Sequence, residues 1–142
     1  MNSPLLPRPM LRASVALLIS LFLGLAPTAS SAAYLELAPM LRHVSSTEAR
    51  IWVKSSESTK LSVRISTKPD LSGSRTVRGP KLEAGSGLMG HVVVSNLQPG
   101  TLYYYSVLLD GKPATPRPYQ SFTTAPAEGQ PGHVRIAFTS CV

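Results

Sequence analysis

The sequence predicts an all-β sandwich that follows a cleavable leader. Three observations predict it. Short segments alternate apolar and polar residues with the two-residue period of a half-buried strand. Turn-forming residues recur between those segments. After the leader, no helical periodicity lasts a dozen residues.

The leader occupies residues 1–33. Arg8 and Arg12 make a positive start, Ala13 to Ala26 is apolar and uncharged, and Ala29-Ser30-Ser31-Ala32-Ala33 supplies small residues for cleavage. That order is the layout of a secretory signal peptide, with the cut after Ala32 or Ala33. A membrane anchor would need about 20 apolar residues, and this shorter run stops at Pro27. Arg8 and Arg12 are not adjacent, so there is no twin-arginine pair, and no cysteine follows the apolar run to carry a lipid. A secreted or periplasmic protein with no span after cleavage is expected.

The strands are taken in order. Leu35 to Met40 is a candidate first strand interrupted by Pro39, and Ser45-Ser46-Thr47 is a turn. Glu48 to Lys54 places Ala49, Ile51 and Val53 on one face and Arg50, Trp52 and Lys54 on the other. Leu61, Val63 and Ile65 alternate with Ser62 and Arg64. Lys68 to Gly73 is a loop, and Arg75 to Arg78 a short edge strand. Gly79 to Gly90 reads as a flexible connection, since its glycines match neither phosphate-cradling pattern. His91 to Ser95 is a strand built on Val92, Val93 and Val94. Pro99-Gly100 is a turn, and the strand after it sets Tyr103, Tyr105 and Val107 on one face. Asp110-Gly111 is a two-residue hairpin signal, and Tyr119 to Thr124 is a last strand closed by Pro126.

Cleavage removes Arg8 and Arg12, leaving about 109 residues with 12 Lys and Arg against 7 acids. That length supports one sandwich core, not a large enzyme. The cations are dispersed singly and no aromatic stripe interleaves with them, so a nucleic-acid interface is not indicated despite a pI near 10. The single cysteine, Cys141, cannot close an intrachain disulfide.

The stretch Leu97-Gln-Pro99-Gly-Thr101-Leu-Tyr103-Tyr-Tyr105 resembles the turn between the fifth and sixth strands of fibronectin type III domains. There a tyrosine hydroxyl bonds back across the corner; Tyr103 holds that position. The resemblance makes the fold a fibronectin type III/immunoglobulin-like sandwich over residues 34–126. Trp52 departs from the pattern, because it shares the parity of Arg50 and Lys54 rather than of the core residues. Either a bulge shifts its register or it lies on the outer face, stacked on a cation or in contact with a neighbouring domain.

Ala125 to Gly132 is a linker by composition, and residues 127–142 run through it into an alternating strand, Val134, Ile136 and Phe138. The order Ala49-Arg-Ile-Trp-Val53, Leu97 to Tyr103, Ser121-Phe-Thr-Thr-Ala-Pro126 and Arg135-Ile-Ala-Phe-Thr-Ser-Cys141 is similar to the N-terminal part of the PhoD-like alkaline phosphatases and phosphodiesterases. The resemblance implies that a metallophosphatase domain follows, that its cofactors are iron and calcium, and that Cys141 is a candidate iron ligand as thiolate. Thiolate suits a transition metal, and ligands gather at the carboxyl ends of strands in open α/β sheets. The substrate would be a phosphate ester, met by a catalytic domain beyond Val142.

No catalytic set is found in the chain itself. A two-metal site needs several convergent ligands, whereas Asp70, Asp110, His43, His91 and His133 are widely separated. The chain alone is therefore expected to hydrolyse nothing and to bind no cofactor. Two other readings stay open: a free-standing secreted module that binds protein or glycan, and a remnant without function.

Overall fold

A computed structural model of the chain describes residues 32–131. They form eight strands in two facing antiparallel sheets. The first sheet holds β1 (Met40–Val44), β2 (Ala49–Lys54) and β5 (Met89–Val94), in the order β1-β2-β5. The second holds β3 (Thr59–Ser66), β4 (Arg75–Leu82), β6 (Leu102–Leu109), β7 (Lys112–Pro113) and β8 (Gln120–Thr123). Its order is β4-β3-β6, with β7 and β8 both bonded to β6. Because β7 pairs with one end of β6 and β8 with the other, they act as one edge strand broken by residues 114–119. Three strands facing four strand positions is the sandwich of fibronectin type III type that the sequence predicts.

The core follows from alternation. Ala49, Ile51 and Val53 from β2 and Val92 and Val94 from β5 meet Leu61, Val63 and Ile65 from β3 across the layer. Tyr103, Tyr105, Val107 and Leu109 from β6 and Phe122 from β8 complete it. The Phe122 ring lies 5.9 Å from that of Tyr103 and 6.0 Å from that of Tyr105, the separation at which aromatic pairs attract.

The sixth-strand corner forms as expected. The Tyr103 hydroxyl accepts from the Gln98 backbone N–H at 3.0 Å. Thr124 completes the latch: its hydroxyl donates to the Gln98 carbonyl at 2.6 Å and accepts from the Thr101 N–H at 2.9 Å. The chain leaving β8 is tied down as well. Gly100 N–H donates to the Ala125 carbonyl at 2.9 Å, and Ala125 N–H donates to the Ser45 carbonyl at 3.1 Å.

Three boundaries differ from expectation. The first strand is Met40–Val44, and Leu35 only makes an isolated bridge to Ser55. Pro39 cannot donate to a ladder, so regular pairing begins after it. The edge strand β4 runs through Gly79 and Pro80 to Leu82 instead of stopping at Arg78. Its glycine is what lets it close on the other sheet. A Cβ on Gly79 would lie 2.7 Å from Val92 Cγ2, and one on Gly90 would lie 2.7 Å from Leu82 Cδ2. The supposed flexible connection thus shrinks to a single turn, Ala84–Ser86, before β5.

Candidate functional site

The outer face of the three-stranded sheet carries the candidate site. Strand β2 turns Ala49, Ile51 and Val53 inward, so Arg50, Trp52 and Lys54 face outward. The β2–β5 register is regular, with Trp52 opposite His91 and Arg50 opposite Val93. On the other side Met40 is opposite Trp52 and His43 is opposite Arg50. Trp52 is therefore an outer-face residue without any shift in β2. The irregularity lies in its neighbour: between Leu41 and His43 the β1 register slips, leaving Arg42 as the extra residue. A bulge re-aims a side chain, and here Arg42 joins Arg50, Trp52 and His91 around a shallow cavity of about 240 Å³.

The electrostatics of this cavity are one-sided, since no carboxylate lines it. Glu48 stands beside it and accepts from Arg50 Nε at 3.0 Å, which fixes the guanidinium. Lys54, further along the face, is paired with Glu36 at 2.8 Å. Arg42 and His91 have no ion-pair partner among the described residues. Nor does a cation stack on Trp52: the cation–π contact found among the described residues is Arg117 over the Tyr119 ring at 5.4 Å. The indole stays half-buried, with exposed Met40, Met89 and Val93 around it.

The residues considered for metal chemistry are not brought together. Among the described residues no group of three His, Cys, Asp or Glu could hold an ion. Asp110 turns the β6–β7 hairpin and accepts from the Lys60 N–H at 3.0 Å and the Thr59 hydroxyl at 2.8 Å. Those bonds hold its carboxyl below the ordinary 3.8. Asp70 accepts from the Ser72 N–H at 2.9 Å, which lowers its pKa likewise. His43 and His91 point from the outer face at separate register positions. These residues do not fit iron or calcium. Cys141 and His133 lie outside the described residues, as does residue 1–31 of the leader. Among the described residues no helix is long and apolar enough to cross a membrane.

Residues 32–127 match the family described as a domain of unknown function, DUF7800. The chain belongs to the DUF7800 family. No curated protein matches it in sequence. Among solved structures, that of PhoD aligns at TM-score 0.60 and 17% identity, covering 74% of this chain and 22% of that one. This DUF7800 chain thus spans about a fifth of the length of that solved chain. The FN1–FN3 domains of chicken CNTN1 align at TM-score 0.48 and 17% identity, over 66% of this chain and 33% of that one. A fibronectin type III domain of human KIAA0970 aligns at 0.46 and 18% identity, over 72% and 82%.

Sequence reasoning left Trp52 either shifted by a bulge or on the outer face beside Arg50 and Lys54, and it missed two of the residues around the cavity. Arg42 and His91 lie far from Trp52 in sequence and reach it only through strand pairing. The bulge that delivers Arg42 has no signature in a single sequence.

Proposed function

We propose that the DUF7800 sandwich is the non-catalytic front module of an exported PhoD-like phosphatase. The leader would carry it out of the cytoplasm, to the periplasm or the medium. The observation that carries the reading is the order of motifs from Ala49 to Cys141, which follows the PhoD-like pattern along the mature chain. The likeness of fold to PhoD agrees with it. In this reading the phosphate ester is hydrolysed by a metallophosphatase domain that uses iron and calcium, and Cys141 supplies one thiolate to the iron. The sandwich contributes no catalytic group. It packs beside the catalytic domain and shapes its entrance.

The test is an antibody raised to residues 34–126, used to blot exported material from the native source. A band far heavier than the 15.2 kDa of this chain, with metal-dependent phosphatase activity in the immunoprecipitate, is the expected result. A single band at or just below that mass would overturn the reading. A second reading, a free-standing exported binding module, is favoured by one specific feature, the cationic cavity around Trp52.

A further inference from the structure

We propose that the cavity around Trp52 binds one residue of an acidic polysaccharide. The inference does not depend on a phosphatase domain, because every group it uses lies on β1, β2 and β5.

The aromatic floor comes first. Trp52 is half-buried and lines the cavity, and neither a cation nor another aromatic ring pairs with it among the described residues. An indole that borders an open cavity can stack on the C–H face of a pyranose, which is apolar on that side. Its electron-rich ring would also accept the partial positive charge of those hydrogens.

The charge selects the kind of sugar. Arg42, Arg50 and His91 are the other lining residues, and no carboxylate is among them. A neutral sugar would leave both guanidinium groups unused. A ring bearing a carboxylate, sulfate or phosphate would take charge-assisted bonds from them. Glu48 occupies only Nε of Arg50, which leaves its two terminal amino groups for the ligand and holds them in position. A simple anion would use the arginines but not the indole.

Size and shape favour a chain over a small molecule. At about 240 Å³ the cavity is smaller than the roughly 300–1,000 Å³ that engulf a drug-sized ligand. It therefore seats one unit while the polymer continues across the open sheet.

The chain has one tryptophan, so emission excited beyond the tyrosine absorption band reports this cavity. The exported chain is titrated with polygalacturonate and with heparin, which separate a carboxylate from a sulfate preference. Dextran serves as the neutral polymer, and sodium phosphate at matched ionic strength as the free anion. A saturable change in emission with one or both acidic polymers, and none with dextran or phosphate, is expected. Arg42→Gln should weaken that binding about tenfold, the loss of one charge-assisted contact. Arg78→Gln removes the same charge from the opposite sheet and should leave binding unchanged. Arg50→Gln should repeat the Arg42 result. Equal weakening by Arg42→Gln and Arg78→Gln would mean attraction to net charge only, and would overturn the site. An emission change that follows protein concentration instead of polymer, with a rising mass, would show that a second copy covers the face. No response to either acidic polymer would overturn the proposal outright.

Discussion

Single side chains decide two tight features of the sandwich. The Pro99-Gly100 corner is held by the Tyr103 hydroxyl and by Thr124, which is 2% exposed and both donates and accepts. Tyr103→Phe removes one bond and should lower the unfolding free energy by about 1 kcal/mol. Thr124→Val keeps the shape but strands two backbone groups, and should cost about 2 kcal/mol; urea unfolding measures both. At the other end, Asp110 sits at φ 47° and Gly111 at φ 78°, the pair of left-handed conformations of a type I′ turn. Bonds from Lys60 and Thr59 depress the Asp110 pKa from 3.8. The carboxylate therefore contributes stability above that value and loses it as pH falls through the lowered native pKa. Asp110→Asn cannot ionise. Its melting temperature should fall below that of the parent at pH 7, and the gap should close on acidification below about pH 4. The Tyr103 corner and the Asp110 turn were both legible in the sequence, because each depends on local residue types at fixed offsets. Arg42 was not, since a bulge is a property of two paired strands.

Among elements, β2, β3 and β6 were readable because one face of each is core and the other is not. Strand β4 was misread at Gly79-Pro80, since both residues normally end strands. Their reason is tertiary: β4 crosses close to β5, and only a missing Cβ permits the approach. Gly90→Ala should therefore destabilise by about 1–3 kcal/mol through overpacking. Gly85→Ala, which meets nothing within 4 Å, should stay within about 0.5 kcal/mol. Parallel thermal melts would show the difference, and equal effects would mean that β4 and β5 part easily. The same strand is an exposed edge, guarded by Arg75, Arg78, Pro80 and Lys81 in the manner that deters edge-to-edge pairing.

At the scale of the molecule, one core cluster draws on both sheets and lies wholly within residues 49–122. Residues 32–131 expressed alone should unfold in a single cooperative transition, with calorimetric and van't Hoff enthalpies in agreement. Two transitions would mean that the sandwich needs more of the chain. The fold was legible from periodicity, whereas the candidate site was legible only at Trp52 and Arg50, which share one strand face, because the cavity exists only once three strands are in register. The exit from the sandwich has a mechanical meaning. The bonds Gly100 to Ala125 and Ala125 to Ser45, with the Thr124 latch between them, join the departing chain to the β5–β6 turn and to the β1–β2 turn at one end of the sandwich. A pull on the chain beyond Ala125 would load these bonds together before it reached β8. The sandwich would then meet tension as a clasp, yielding at one threshold force instead of unravelling strand by strand.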